Sequence, residues 1–268
     1  MASPHDLPVA AACRCASLSR SAYYREPDHW TVRDAEIIAM LAELVADRPS
    51  RGFWKRYKII RRRGYDWNHK RLYRVYTAIG LNSRRPAKRR LPKRERVALY
   101  IPRMPDTVWS VDFMSDALYN GKRCRTFNVV DDFNREALHF EIDTSLTSER
   151  LLRIFQRLKA EHGLPQVVRC DNEPEFLGES FTAWAKQAGM AIQYIQPNQN
   201  AYVERFNRTY REGVLDQHLF ASLDDVRKAT YWSMIEYNEE RPHDALGDKT
   251  PADARLLAAR NSTFELSP

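Results

Sequence analysis

Apolar residues near the start of the chain recur at helical spacing. A short helix is predicted from Ala10, a break at Ser17-Leu18-Ser19, and a second short helix from Arg20 to Tyr24. A longer amphipathic helix follows and ends at Asp47-Arg48-Pro49. Its apolar positions are Ile37, Ile38, Leu41, Leu44 and Val45. The N-terminal part of the chain is therefore predicted to be helical.

Two further helices combine apolar residues with basic ones. The first has Trp54 and Ile59 among lysines and arginines and ends at Gly64, and the second runs from Asn68 to Ile79 and ends at Gly80. The basic face of the second helix consists of Lys70, Arg71 and Arg74. Two such helices in series fit a winged or three-helix DNA-binding module, although a solvated face on an ordinary helical hairpin is the alternative.

The basic charge is concentrated in one segment. The chain has 43 Lys and Arg against 35 Asp and Glu, a net charge of +8. Residues 51–103 contain 19 of these cations and two acids, so the rest of the chain is net acidic. Within this segment, residues 84–94 combine prolines with Arg89, Arg90 and other cations. This composition predicts an extended linker that orders against the phosphate backbone of a nucleic acid.

From Thr107 the pattern changes to that of strands. Alternating or apolar β-prone runs predict strands at residues 108–113, 124–130 and 137–142, joined as an antiparallel meander. The elements predicted next are a helix capped by Thr147 or Ser148, a buried strand at 166–170, a helix at 181–188 and a strand at 191–195. This order predicts an α/β domain with a mixed sheet and flanking helices.

A further helix is predicted after the sheet. Ser222-Leu223-Asp224-Asp225 is typical of a capping box, and the helix that it begins is expected to run to about Glu240. The residues expected to pack on the core are Val226, Ala229, Tyr231, Trp232 and Ile235. Beyond this helix, prolines separate segments for which the pattern predicts no element.

Three carboxylates stand in apolar or aromatic surroundings. Asp112 and Asp171 are predicted at the ends of the first and fourth strands, and Glu204 on a helix that begins near Gln199. Neighbouring strands would bring the two aspartates together, and three converging carboxylates repel one another unless divalent cations bind them. Two cations about 3.5 to 4 Å apart suit in-line phosphoryl transfer. A single Asp at a strand end is more often a turn cap, and a single Glu on a helix is more often solvated. Asp116, Asp131 and Asp132 are therefore interpreted as turn residues.

The cysteine spacing and the hydropathy of the chain indicate in which cellular compartment the protein is expected. The four cysteines form no CxxC pair, which favours structural thiols in a reducing cytoplasm over disulfides or zinc ligands. No apolar run reaches the 18 or so residues of a membrane span, and no lysine-led signal peptide is seen at the N-terminus. We therefore expect an intracellular protein without a membrane partner.

Several of these stretches together resemble a known family. The stretches in question are Trp109 to Phe113, Cys170 to Phe176, Tyr202 to Arg211 and Tyr237 to His243, with Ser19 to Tyr24 and Asn68 to Arg74 near the N-terminus. The region from Trp109 to Ala254 resembles the integrase core of insertion-sequence transposases and retroviral integrases, a ribonuclease-H-like fold. The N-terminal stretches resemble the helix-turn-helix region of the OrfB-type transposases.

The resemblance implies a domain order and a chemistry. It implies a helical DNA-binding region at 1–84, a basic linker at 85–105, a ribonuclease-H-like catalytic core at 106–256 and a tail at 257–268. Asp112, Asp171 and Glu204 match the family's metal-binding triad. They would bind two Mg²⁺ ions, or Mn²⁺ in their place, release a 3′ hydroxyl at the element's end and direct its attack on a second phosphodiester.

The resemblance also implies partners and further site residues. The expected partners are double-stranded DNA of the element ends and target, further copies of the chain in a multimer on DNA, and an upstream-frame protein. The expected location is the bacterial cytoplasm, at the nucleoid. Candidate DNA-binding residues are Lys70, Arg71, Arg74, Arg89, Arg90, Asn200, Arg205 and Asn207. Arg205 could equally be plain surface charge. His243 could approach the site, with a capping or packing role as the alternative.

Two departures from the family pattern lie next to the predicted site. Glu173 stands where the family has a glycine, and the connection from Gln196 to Tyr202 is three residues shorter than usual. The hypothesis that follows is a transposase with impaired catalysis. The alternatives are a catalytically inactive DNA-binding relic that inhibits intact copies, and a ribonuclease-H-like nuclease unrelated to transposition.

Overall fold

The computed structural model describes residues 8–24, 29–82, 100, 102–195 and 200–264, with side chains as far as residue 260. The chain divides into two compact units, residues 1–47 with 68–83, and residues 48–67 with 84–268. The helices of the first unit are α1 (Val9–Cys15), α2 (Arg20–Tyr24), α3 (Trp30–Arg33), α4 (Ala35–Asp47) and α6 (His69–Ala78), while α5 (Phe53–Arg62) belongs to the second unit.

The first unit is built on the packing of α4 against α6. The buried residues are Ile37, Leu41 and Leu44 on α4 and Leu72, Val75 and Tyr76 on α6. In each set the later residues lie three, four or seven positions after the first, which is the spacing of one helix face. Asn68 caps α6, since its side chain accepts a hydrogen bond from the Lys70 amide at 2.9 Å. The helices predicted here are present, with the break after α1 at Ser17 to Ser19.

The second unit contains a five-stranded mixed sheet. Its strands are β1 (Val108–Ala117), β2 (Arg123–Asp131), β3 (Ala137–Asp143), β4 (Val167–Cys170) and β5 (Ala191–Tyr194). The spatial order is β3-β2-β1-β4-β5, with β1, β2 and β3 antiparallel and with β4 parallel to both β1 and β5. The predicted mixed sheet is therefore confirmed.

Helices cover both faces of this sheet. Along β1, Trp109, Val111 and Phe113 alternate onto the face that packs with α7 (Ser148–Glu161), α8 (Pro174–Leu177) and α9 (Glu179–Gln187). The opposite face of the sheet packs with α10 (Ala201–Gly213) and α11 (Leu223–Ile235). Because strand side chains alternate, the residue between Val111 and Phe113, which is Asp112, faces α10.

Helix α5 is held in the second unit by charge pairs with the C-terminal segment. Lys58 Nζ lies 2.6 Å from an Asp244 carboxylate oxygen, and Arg62 lies 2.7 Å from Asp253 at the start of α12 (Pro251–Phe264). Arg56 is buried and donates to backbone carbonyls of the preceding turn. Much of the basic charge on this helix is therefore matched within the unit.

The structure differs from several predictions about individual elements. Strand β1 continues to Ala117, so Asp112 lies in the middle of a strand rather than at its end, and Asp116 is also inside this strand rather than in a turn. On α11, Tyr231 and Trp232 are 56% and 65% exposed and do not pack on the core. Val226 is buried as predicted, and Thr230 is buried where the aromatic residues were expected.

Two of the predicted features fall where the structure gives no description. Most of the basic linker predicted at 85–105 lies outside the described range, and so does the shortened connection at residues 196–199. Part of the predicted tail belongs to α12. Within the described residues, none of the helices is both long and apolar enough to cross a membrane.

Candidate metal centre

Strand register brings Asp112 and Asp171 together. Strands β1 and β4 run parallel, with Ser110 opposite Arg169. Asp112 is two residues beyond Ser110, and Asp171 is two residues beyond Arg169. The two aspartates therefore occupy equivalent positions on adjacent strands, although β4 itself ends at Cys170. The sequence predicted this proximity correctly, while it placed the end of β1 too early.

A third carboxylate completes a close group, and it is Glu173. One carboxylate oxygen from each of Asp112, Asp171 and Glu173 lies within 4.8 Å of the others. Among the described residues this is the group with the spacing of a metal site, and Glu204 is not part of it. Glu204 is exposed on α10, yet its charge is close enough to act on Asp112.

Asp112 is held by hydrogen bonds from two sides. The Asn207 amide on α10 donates to Asp112 Oδ2 at 2.7 Å, and the Phe113 backbone N–H donates to Oδ1 at 2.9 Å. Asn207 in turn accepts from Asn128 Nδ2 at 2.6 Å. Asn128 is the cross-strand neighbour of Asp112 on β2. This relay fixes the orientation of the Asp112 carboxylate relative to the sheet.

The group concentrates negative charge in a half-buried place. Burial raises the pKa of Asp112 to about 7, with further contributions from the charges of Asp171, Glu173 and Glu204. Burial and Asp171 also raise the pKa of Glu173, against the opposing effect of Arg125. Such repulsion is what a bound cation relieves, because its charge favours the ionised carboxylates.

Glu173 adopts an ordinary backbone conformation. It precedes α8 with φ −67° and ψ 142°, an extended geometry that any residue can adopt. The tight turn that would require a glycine at this position is therefore not present. Arg125 on β2 donates to Glu173 Oε2 at 2.9 Å and also pairs with Glu175. The guanidinium of Arg125 lies 4.5 Å from the centre of the Phe113 ring.

The donor set fits a hard divalent cation. Carboxylate oxygens are the ligands that Mg²⁺ and Mn²⁺ prefer. Asn128 and Asn200, both buried in this region, each have a side-chain oxygen without a hydrogen-bond partner within the described range. Asn200 otherwise donates to the Val111 carbonyl at 3.0 Å, beside Asp112. The residues present are therefore chemically suited to a metal ion.

The predicted DNA-binding residues of the first unit are in different settings. Arg71 and Arg74 each place a guanidinium nitrogen 2.6 Å from the carboxylate of Asp34, which is buried. Lys70 is exposed at the start of α6. Their DNA contacts stay a prediction, but both arginines have a structural partner. Outside the described range lie Arg89 and Arg90.

The predicted contacts on α10 divide into inward and outward residues. Asn200 and Asn207 are buried, with their amides directed to the β1 backbone and to Asp112. Arg205 is exposed. Sequence reasoning missed the supporting roles of Arg125 and Asn128. For Asn128 a signal existed, since it is a polar residue inside the apolar run of β2.

His243 is packed rather than directed at the carboxylate group. Its ring lies 4.9 Å from that of Tyr237 in an edge-on arrangement, and its Nε2 has no hydrogen-bond partner among the described residues. Burial lowers the pKa of His243 to about 3, and the cations Arg241 and Lys55 add to this effect. The histidine is therefore neutral near pH 7.

Comparisons with known proteins agree with this architecture. The family described as "Integrase core domain" matches residues 102–200 and again residues 189–251. A 31.7 kDa protein of insertion element IS407 from Burkholderia multivorans is 38% identical over 90% of this chain and 88% of its own length. A 39.2 kDa protein of insertion element IS476 from Xanthomonas euvesicatoria is 36% identical over 90% of this chain and 70% of its own.

A solved structure has the same fold. The simian T-cell lymphotropic virus intasome, determined in complex with the PP2A regulatory subunit B56 gamma, contains a chain with a TM-score of 0.52 and 16% identity. The alignment covers 71% of this chain and 67% of the viral one. This confirms the ribonuclease-H-like architecture predicted from the sequence. By its core domain and its insertion-element relatives, the chain belongs to the DDE-type transposases of insertion sequences, within the integrase superfamily.

Proposed function

We propose that this chain cleaves and joins DNA strands by direct phosphoryl transfer, without a covalent protein intermediate. Enzymes of the integrase-core family are metal-dependent, and we assign two Mg²⁺ ions to this centre, with Mn²⁺ able to replace them. When bound, such ions would activate the attacking oxygen and stabilise the leaving one. The observation that supports the proposal most directly is the β1–β4 register, which sets Asp112 beside Asp171.

The metal-binding triad of the proposal has support from the surrounding chain. The Asn207 amide orients Asp112, and Asp171 directly follows β4. Glu204 is proposed as the third member, approaching from α10, the helix that also contains Asn207. The start of this helix is tied to β1, because Asn200 donates to a β1 carbonyl. Such support matters because a ligand displaced by about 1 Å can cost on the order of a hundredfold in rate.

The proposed substrate is double-stranded DNA, both the element's ends and the target. The chain would release a 3′ hydroxyl at an element end and direct its attack on a target phosphodiester. Holding two ends at once requires a multimer of this chain, with an upstream-frame protein as a further partner. Exposed cations such as Lys70 and Arg205, together with Arg89 and Arg90, are proposed to contact phosphates.

The test uses duplex DNA with the element's terminal repeats, read from the sequence that flanks the gene. Wild-type protein with Mg²⁺ should cleave and join strands, and D112N and D171N should each reduce both rates by about 1,000-fold, since metal-ion stabilisation contributes several kcal/mol. Equal DNA binding by the variants is the control. Cleavage of RNA in a hybrid without strand joining would instead indicate a ribonuclease-H-like nuclease.

A second candidate is a catalytically inactive relic that binds element ends and inhibits intact copies. Its supporting observations are that Glu204 lies outside the close carboxylate group and that Glu173 lies inside it. Binding to terminal repeats without cleavage would select this candidate. The related hypothesis of impaired catalysis predicts faster cleavage when Gly replaces Glu173 and Gly-Lys-Pro is restored in the connection at 196–199. Unchanged rates in that variant would reject it.

A further inference from the structure

We propose that Glu173 is itself a ligand of the divalent cation in this chain, and that Arg125 is its counter-ion when no cation is bound. The inference rests on the proposed function, because it concerns the same metal centre. It adds a fourth carboxylate to the three that the family resemblance implies. It also makes Arg125 a competitor of the metal.

Position is the first argument. Glu173 is two residues after Asp171, and its side chain turns back so that an oxygen joins those of Asp112 and Asp171 within 4.8 Å. The Glu173 backbone N–H also donates to Asp171 Oδ1 at 3.3 Å, which holds the two residues in one turn. Since the backbone at 173 is unstrained, the carboxylate can stay at this position at little conformational cost.

Charge balance is the second argument. Arg125 reaches Glu173 with one guanidinium nitrogen and Glu175 with another. The side chain of Arg125 is about a quarter exposed, at 27%, so its pairing with Glu173 is neither rigidly buried nor fully solvated. A cation that binds Glu173 would leave Arg125 with Glu175 and with the face of Phe113. Replacement of Arg125 by a cation at Glu173 therefore leaves no buried charge unpaired. The contact between Arg125 and Glu173 can be exchanged for a contact between Glu173 and a metal ion.

The surrounding polar groups are the third argument. Asn128 is fully buried, lies opposite Asp112 across the β1–β2 ladder and keeps one side-chain oxygen without a hydrogen-bond partner in the described part of the chain. Its amide is already committed to Asn207. Asn128 and Asn207 therefore make the surroundings of Asp112 polar on the side that faces α10. Glu173 adds a carboxylate next to Asp171, within the same group.

The consequence is a difference in metal affinity between this chain and a version with the family's glycine. An added carboxylate strengthens the binding of a hard cation, because affinity rises with the number of charged ligands. Glu173→Gly should therefore weaken metal binding, whichever way it changes the strand-cleavage rate. The affinity for the divalent cation and the strand-cleavage rate therefore report on two separate effects of Glu173.

The experiment measures Mn²⁺ and Mg²⁺ binding to the full chain without DNA, by isothermal titration calorimetry. We expect E173Q to weaken Mn²⁺ binding by about 10-fold or more. R125Q should bind Mn²⁺ at least as tightly as wild type, because it removes the competing cation. The matched control is E179Q, the same substitution at an exposed residue of α9, which should bind like wild type. A cooperative thermal unfolding transition in EDTA establishes that E173Q and R125Q are each folded.

The variant D112N separates this inference from the proposed function. If D112N and E173Q both weaken Mn²⁺ binding, the fourth ligand is supported. If D112N weakens binding and E173Q matches E179Q, the role of Glu173 is rejected while the metal centre stands. If neither variant weakens binding, the inference and the metal centre of the proposed function are both overturned.

Discussion

Asn207 connects three elements through a single amide. Its nitrogen donates to Asp112 on β1, and its oxygen accepts from Asn128 on β2, while its own backbone is part of α10. Asn207 is 7% exposed, so water competes little for either bond. A buried amide with both ends paired fixes the rotation of the carboxylate that it contacts. Asn207 is therefore a positioning residue for Asp112.

Replacement of Asn207 by Leu should impair catalysis and stability together. N207L removes the donor to Asp112 and leaves the Asn128 amide unpaired, so we expect strand cleavage to fall by about 10-fold or more and the free energy of unfolding by about 1 to 3 kcal/mol. Cleavage assays at several Mg²⁺ concentrations and urea denaturation measure the two effects. R208Q, an exposed change on the same helix, is the control. Wild-type cleavage by N207L would contradict the positioning role.

The local sequence pattern predicted the two aspartates of the site but not the residues that support them. Asp112 and Asp171 follow β-prone runs, and the mixed sheet that those runs predict does place them side by side. The roles of Arg125 and Asn128 depend on the β1–β2 register, which local pattern does not determine. Glu173 was noticed as a departure from the family, but the direction of its side chain was not predictable.

At the scale of elements, α5 shows that a basic helix can be a structural one. Its residue Arg56 is 2% exposed and donates to the carbonyls of Arg48 and Pro49 at 3.1 Å each, and also to that of Arg51. Arg51 and Arg48 in turn both pair with Glu236, in the π-helical turn after α11. The segment before α5 is thus held by one buried guanidinium and one acid.

Replacement of Arg56 by Met should destabilise the second unit. R56M keeps much of the side-chain volume but leaves buried carbonyls without donors, so we expect a loss of about 3 kcal/mol in the free energy of unfolding. R153Q, at an exposed position of α7, should change stability by less than about 0.5 kcal/mol. Chemical denaturation followed by tryptophan fluorescence compares the two. Equal stability of both variants would show that Arg56 is not structural.

Helix α11 illustrates why the faces of an element are harder to predict than its ends. Its capping box at Ser222 and Asp225 forms as the sequence predicted. The aromatic residues Tyr231 and Trp232 were expected inside because of their hydrophobicity, but they lie outside, and Thr230 is buried instead. The hydroxyl of Thr230 has a partner in Tyr210 at 2.6 Å, and that long-range pairing makes its burial possible.

At the scale of the whole molecule, His243 should make stability depend on pH. Burial of the ring lowers its pKa from 6.5 to about 3, and the charges of Arg241, Lys55, Arg205 and Arg135 add to this effect. Below pH 6.5 the unfolded chain binds a proton that the folded chain does not take up until about pH 3. The histidine therefore costs no stability above about pH 7, and the cost grows as the pH falls.

The variant H243Q isolates this effect, because glutamine does not titrate. Between pH 7 and pH 5 we expect wild type to lose up to about 2 kcal/mol more unfolding free energy than H243Q, at about 1.4 kcal/mol per pH unit below 6.5. Urea denaturation at several pH values measures the difference. Other acids titrate in both proteins, so only the difference is informative. Parallel curves would mean that His243 has the same pKa in the folded and the unfolded chain, which would contradict the prediction.

The distribution of charge over the chain predicts which cations bind DNA. On α5, Lys58 and Arg62 are paired with acids of the C-terminal segment, and on α6, Arg71 and Arg74 are paired with Asp34. Part of the basic charge is therefore paired with acids within the fold and is less available to DNA phosphates. The segment 84–96 has a dense run of cations and a single acid, Glu95, so it should supply a large share of the phosphate contacts.

The double variant R89Q/R90Q tests whether segment 84–96 contacts phosphates, and K58Q tests the same for a cation that is paired within the fold. Each phosphate contact contributes about 0.9 to the slope of log affinity against log salt concentration, so the variant should lower the slope by about 2 and weaken binding to all DNA sequences alike. Fluorescence anisotropy at about 50 to 200 mM salt measures this slope. K58Q, which changes a cation already paired with Asp244 and Asp248, should change the slope by less than about 0.5. A larger effect of K58Q than of R89Q/R90Q would place the DNA on α5 instead.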